Sequence, residues 1–158
     1  MLIRKAKATE ANSLTELTVN SKAYWGYSEK FMAACIDELV VPKEKLENPN
    51  FCYMVAEVNN KLLGYYGLEP LSKVEIELSA LFVESSNIGS GIGKALLAHA
   101  MNVALDMGGI DLVLQSDPNA EGFYIANGWL LTGKRESLSF PGRYLPTFSI
   151  SLRESMNT

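Results

Sequence analysis

The run Leu81-Phe82-Val83-Glu84-Ser85-Ser86-Asn87-Ile88-Gly89-Ser90-Gly91-Ile92-Gly93-Lys94-Ala95-Leu96-Leu97 leaves a chain few ways to fold. Strand-like apolar residues lead into a polar turn and then into glycines at 89, 91 and 93. A helix begins inside the loop they form. Those glycines let the backbone take positive φ and leave no side chains in the way of a ligand. A helix starting at the loop's end points unpaired N–H groups, and the positive end of its dipole, into the same space. The stretch therefore reads as an anion site, most naturally for phosphate or pyrophosphate.

A chain of 158 residues, 47% of them hydrophobic, can bury one good core, so a single domain over 1–158 is expected. The net charge of -4 argues against a broad nucleic-acid footprint. Arg4, Lys5, Lys7, Lys43, Lys45, Lys134 and Arg135 are scattered and read as solvated faces. Cys35 and Cys52 lack CxxC spacing and sit among apolar residues, so buried free thiols are expected rather than a disulfide framework. The N-terminus has no signal-peptide pattern, and no apolar run approaches the ~20 residues that span a bilayer. The expectation is a soluble cytoplasmic protein with neither a nucleic-acid nor a membrane partner; a homodimer is left open.

In chain order, Ile3 onward alternates as a first strand, and Thr9 and Asn12 open a helix reaching Ala23. Tyr24-Trp25-Gly26-Tyr27 follows, an aromatic cluster that reads equally as plain core or as a substrate wall. Ser28, Phe31, Met32, Cys35, Ile36 and Leu39 are spaced as one amphipathic helix capped by Ser28. Phe51–Val58 and Lys61–Leu68 form a hairpin through Asn59-Asn60, a pair that tolerates the positive φ of such turns. Over Val74–Val83, the residues Val74, Ile76, Leu78, Ala80 and Phe82 alternate against Glu75, Glu77, Ser79, Leu81 and Val83. The helix from Gly91 carries Ile92, Leu96, Ala100, Val103 and Met107 and stops at Gly108-Gly109. Ile110–Ser116 is a short apolar strand. Asp117-Pro118 caps a short helix that ends at Asn127-Gly128. Trp129–Leu138 and Thr147–Leu152 are the last strands, and a frayed tail is expected from Arg153. The order is β-α-α-β-β-β-α-β-α-β-β. It describes an α/β domain with a mixed, mostly antiparallel sheet of about seven strands flanked by about four helices.

Three glycine-loop patterns compete. The P-loop G-x-x-x-x-G-K-[ST] puts Ile88 where its first glycine belongs and Ala95 where a hydroxyl should hold magnesium. The dinucleotide fingerprint G-x-G-x-x-G needs a glycine where Lys94 stands. The third pattern, [QR]-x-x-G-x-[GA], is met by Ile88-Gly89-Ser90-Gly91-Ile92-Gly93, apart from Ile88 in the Gln or Arg position. One helix and one strand later comes Asn119-Ala120-Glu121-Gly122-Phe123-Tyr124-Ile125-Ala126-Asn127-Gly128-Trp129. In these two motifs and in element order the chain resembles the GNAT superfamily of N-acetyltransferases.

The resemblance implies an acetyl-CoA-dependent N-acetyltransferase with coenzyme A between splayed strands four and five, and no metal. It implies that the backbone of Leu81, Phe82 and Val83 meets the pantetheine arm. The loop Ile88, Gly89, Ser90, Gly91, Ile92, Gly93 and Lys94 would grip the pyrophosphate, its amides unaffected by the isoleucine at 88. Tyr124 falls on the tyrosine that protonates the departing thiolate, and Asn119 on the asparagine that helps hold the arm. Glu77, eleven residues before Ile88, matches the strand-four glutamate that some members use as base; read by itself it is equally an ordinary solvent-side glutamate. Tyr24, Trp25, Tyr27, Arg143 and Tyr144 are expected around the acceptor, a primary amine of a small molecule. A non-catalytic acyl-CoA-binding or regulatory module is the alternative reading. His99 reads as a packing residue, and Asp117 as a helix cap rather than a base.

Overall fold

The computed structural model describes residues 1–153. Its strands are β1 (Leu2–Lys5), β2 (Cys52–Val58), β3 (Lys61–Pro70), β4 (Glu75–Val83), β5 (Asp111–Gln115), β6 (Leu130–Glu136) and β7 (Tyr144–Ser151). The helices are α1 (Ala11–Ala23), α2 (Glu29–Ala34), α3 (Ile36–Leu39), α4 (Lys43–Glu47), α5 (Ile92–Asp106) and α6 (Glu121–Ala126). The seven strands form one sheet in the order β1-β2-β3-β4-β5-β7-β6. Every neighbouring pair is antiparallel except β4 and β5, which run parallel through the α5 crossover. The mixed, mostly antiparallel sheet expected from the sequence is the one that forms.

Each face of the sheet has its own core. On one, Leu96, Leu97, Ala100 and Ala104 of α5 and Tyr124 of α6 pack on Ile76, Leu78, Leu112, Leu114 and Phe148. On the other, Leu14 and Leu17 of α1 and Leu46 of α4 pack on Tyr53, Val55 and Tyr65. The α1 side is also tied by polar contacts: Thr18 Oγ1 lies 2.5 Å from the Tyr65 hydroxyl and donates to Leu14 O at 2.7 Å. The hairpin turn is as expected, with Asn59 and Asn60 at φ 51° and 64°. His99 has its packing role, its Nδ1 lying 2.7 Å from the Tyr66 hydroxyl. Cys35 and Cys52 are free thiols, Cys35 buried and Cys52 half-buried.

Two local expectations are corrected. The single helix over Ser28–Leu39 is broken. Ser28 Oγ does accept from Phe31 N at 3.1 Å, but α2 ends at Ala34. The Cys35 N–H is shared between the carbonyls of Phe31 and Met32, both at 3.2 Å, the tightening with which a helix ends. This turn sinks Cys35 completely into the interior and lets α3 set off anew. The strict alternation over Val74–Val83 also fails. Gly67 pairs with Ala80 while the next residue, Leu68, pairs with Leu78, so Ser79 is an extra residue in β4. Beyond this bulge the faces exchange: Ile76 and Leu78 belong to the α5-side core, whereas Ala80 and Phe82 pack on the α1 side.

Gly67, opposite the bulge, has a packing reason to be glycine, since a Cβ there would overlap the ring of Tyr53. The Gly67→Ala variant should lose about 1–3 kcal/mol of stability through overpacking. Urea unfolding checks this as a lower midpoint with unchanged slope.

Candidate active site

The β4–β5 ladder is short. It runs from Glu75↔Asp111 to Glu77↔Val113 and stops, although the opposite edge of β4 stays paired with β3 as far as Val83. The separation begins at the Ser79 bulge, and a bulge bends its strand and raises the local twist. A cavity of about 440 Å³ fills the opening, walled by Leu78–Val83 on one side and Leu114–Asp117 on the other. Within it β4 presents backbone N–H and C=O groups that have no strand partner on that edge. Leu81, Phe82 and Val83 all lie along this wall.

At one end the cavity meets the glycine loop. Gly89 and Gly91 hold φ of 88° and 93°, and Gly91 is the left-handed residue from which α5 starts. A Cβ at either position would meet nothing within 4 Å, so glycine is required here for conformation rather than for space. The first helical bond is Ala95 N to Gly91 O at 3.1 Å, which leaves the N–H groups of Ile92, Gly93 and Lys94 without helical partners. Ile88, Gly89, Gly91, Gly93 and Lys94 line the cavity. Ser90 does not, because its N–H and hydroxyl both turn back to Asn87 O. The Ile92 side chain packs into the α5-side core. A loop of free amides with no carboxylate among its wall residues fits a pyrophosphate.

Tyr124 lines the same cavity. Its ring is held between Phe123 (5.2 Å, edge-on), Trp129 (5.6 Å, edge-on) and Phe148 (5.6 Å, tilted). Burial alone pushes the phenol above its ordinary pKa, so it carries its proton through the neutral range and faces the cavity as a donor. Asn119 lines the same wall.

Glu77 lies on the opposite face of the sheet, in a second cavity of about 650 Å³. Its floor includes Glu75, Asp111, Val113, Thr132, Arg135 and Ser149, and it shares Leu114 and Gln115 with the first cavity. Burial raises the Glu77 carboxyl above the usual range and the neighbouring Glu69 adds to this, against weaker opposition from Lys45 and Arg135. Glu69 is its direct partner across the β3–β4 ladder. Burial works against the charge of Glu69 itself, but the Tyr53 hydroxyl and Lys45 at 3.1 Å outweigh it and hold the carboxyl below the usual range.

Of the residues expected around the acceptor, Trp25 and Arg143 line the first cavity. Tyr24 is half-exposed and packs edge-on against Trp25 at 5.0 Å. Tyr144 is exposed on the rim of the sheet, where Lys134 sits 4.9 Å from its ring. Tyr27 takes its place in a hydrogen-bond cluster behind the wall, with Asp117, Asn119 and Arg143. Sequence reading missed Lys22, Glu38, Gln115 and Leu145 in the lining, and took Asp117 for a cap alone. Asp117 is a cap, accepting from Asn119 N at 2.8 Å, but it also gathers side chains from α1 and from the β6–β7 loop. No spacing rule connects those segments.

The model for an acetyltransferase (GNAT) domain matches residues 49–129, which hold β2 through α6, the glycine loop and Tyr124. The chain belongs to the GNAT acetyltransferase family. N-acetyltransferase 8 of Homo sapiens is 30% identical over 111 residues, covering 65% of this chain and 49% of its own. The chain thus spans about half the length of the curated relatives it matches. The PaiA N-acetyltransferase of Thermoplasma acidophilum, solved in complex with coenzyme A, superposes with a TM-score of 0.77 at 23% identity. That match covers 95% of this chain and 98% of the other. The aminoglycoside 6'-N-acetyltransferase of Enterococcus faecium superposes with a TM-score of 0.67 at 17% identity, covering 96% and 97%. At these identities the structures share the fold. Among the described residues no helix is long and apolar enough to cross a membrane.

Proposed function

We propose that this domain, over 1–158, transfers an acetyl group from acetyl-CoA to a primary amine of a small molecule. The observation that carries the reading is the early end of the β4–β5 ladder, with the free amides of the glycine loop and the Tyr124 residue lining one opening. Coenzyme A supplies the acetyl group as a thioester. The unpaired edge of β4 at Leu81, Phe82 and Val83 suits an amide-bearing arm, because a strand edge offers donors and acceptors with no side-chain entropy to lose. The amides of Gly89, Gly91, Ile92, Gly93 and Lys94 take the pyrophosphate.

Tyr124 and Glu77 approach the point of strand separation from opposite faces of the sheet. Tyr124 holds a proton for a departing thiolate, a feasible direction because a free thiol ionises near 8.5 and a free phenol near 10. Glu77 accepts a proton from the incoming ammonium, directly or through one water. Its carboxyl, raised by burial and by Glu69, is a better base than an exposed glutamate. The acceptor reaches this point past Trp25, Lys22 and Arg143 or through the Glu77 cavity. Names of structural neighbours such as the aminoglycoside acetyltransferase support a small-molecule amine. Free thiols at Cys35 and Cys52 suit a reducing compartment, and the cytoplasm is the location proposed.

Calorimetry with acetyl-CoA, followed by thiol release with a panel of small amines, tests the assignment. Micromolar binding and amine-dependent release are expected. Absence of binding would overturn it.

A further inference from the structure

We propose that Asp117 is a positioning residue that holds the Asn119 side-chain amide with its oxygen toward the donor cleft, so that Asn119 recognises a ligand N–H and never a ligand carbonyl. This rests on the acetyl-CoA reading and names what one of its wall residues reads.

The inference follows from a count of hydrogens around Tyr27. Its hydroxyl has one proton and two lone pairs. The proton goes to the Asp117 carboxylate, 3.0 Å from Oδ1 and 2.9 Å from Oδ2. The lone pairs accept from Asn119 Nδ2 and from Arg143 Nη2, each at 2.9 Å. Asp117, an acceptor only, takes Asn119 N at 2.8 Å and Asn119 Nδ2 at 2.9 Å on Oδ1. On Oδ2 it takes Lys22 Nζ at 3.2 Å and Arg143 Nη2 at 3.5 Å. Both hydrogens of Asn119 Nδ2 are therefore committed, one to Tyr27 and one to Asp117. Turning the amide over would set its oxygen against a carboxylate and against a hydroxyl whose proton is already given, leaving two acceptors facing acceptors.

The carboxylate that enforces this stays ionised. Burial works against its charge, but the Asn119 N–H, the Tyr27 hydroxyl and Lys22 outweigh burial and hold it below the usual range. Arg143 adds a second cation and stacks over the rings of Tyr27 (5.5 Å) and Phe31 (4.8 Å). Three distant chain segments are thus locked around one acidic group at the rim of the cleft. With both amide hydrogens committed, the Asn119 oxygen is the group left for a ligand, and Asn119 lines the cavity where an amide-bearing arm would lie. The arm of coenzyme A carries two secondary amides, each with one N–H to offer.

The test is calorimetric binding of coenzyme A and of two analogues, each with one pantetheine amide replaced by an ester, which keeps the carbonyl and removes the N–H. Wild-type protein should bind one analogue several-fold to about tenfold more weakly than coenzyme A, the loss of one hydrogen bond. In Asp117→Asn that ratio should fall toward one, because Asn119 can then turn to present its N–H₂ instead. Asp117→Ser keeps a capping hydroxyl and a folded chain while removing the carboxylate, and should do the same. A merely structural Asp117 would lower the melting temperature and weaken all three ligands equally, leaving the ratio unchanged; that result overturns the proposal. So does wild-type binding of both analogues as tight as coenzyme A. If coenzyme A itself fails to bind wild-type protein, the acetyl-CoA reading falls and this inference falls with it.

Discussion

Replacing Tyr124 by phenylalanine should lower kcat by about 10²-fold or more while leaving the dissociation constant of coenzyme A nearly unchanged. The ring is buried between Phe123, Trp129 and Phe148, and phenylalanine keeps those three contacts. Only the hydroxyl is lost. The pKa of that hydroxyl is raised by burial, with no hydrogen-bonding or charged neighbour contributing, so its removal breaks no internal network and the melting temperature should hardly move. Steady-state kinetics beside calorimetry separates the two quantities. A variant with wild-type kcat would take the proton-donor role away from Tyr124.

Glu77→Gln should cost about 10²- to 10⁴-fold in kcat/KM and should also change the shape of the pH profile. A base works when deprotonated, so wild-type activity falls as pH drops through the Glu77 pKa, which burial and Glu69 place above that of an ordinary glutamate. The variant should lack this acidic limb. Glu69→Gln removes the negative charge directly across the ladder and should move the limb to lower pH in an enzyme that keeps Glu77. An identical profile in Glu77→Gln would give the role to solvent.

The elements of the fold were readable because local chemistry specifies them. Asn59-Asn60 marks a hairpin, Gly91 marks the start of α5, and Asp117-Pro118 caps the turn before α6, each through the backbone of its own few residues. The glycine loop and the run from Asn119 to Trp129 were readable for the same reason, and together they pointed to the family. The bulge at Ser79 was not. Ile76, Leu78, Ala80 and Phe82 alternate perfectly in sequence, and only pairing with β3 shows that one residue is extra. The break at Cys35 was hidden likewise, since the apolar spacing continues across it while the hydrogen bonding does not.

The roles of Asp117, Lys22 and Glu69 were beyond any motif. Lys22 meets Asp117 across 95 positions of chain, and Arg143 meets Tyr27 across 116. Glu69 bears on Glu77 because two strands place them opposite one another. By itself the sequence determined the strands, the caps at Ser28 and Asp117 and a loop with the conformational freedom to cradle an anion, since these depend on backbone preferences a few residues wide. Only the tertiary structure decided that β4 and β5 part at Glu77 and Val113, that Tyr124 and Glu77 stand on opposite faces of that gap, and that one carboxylate dictates which way Asn119 turns. Burial, charge and the direction of a hydrogen bond are properties of neighbours, and neighbours are assigned by folding.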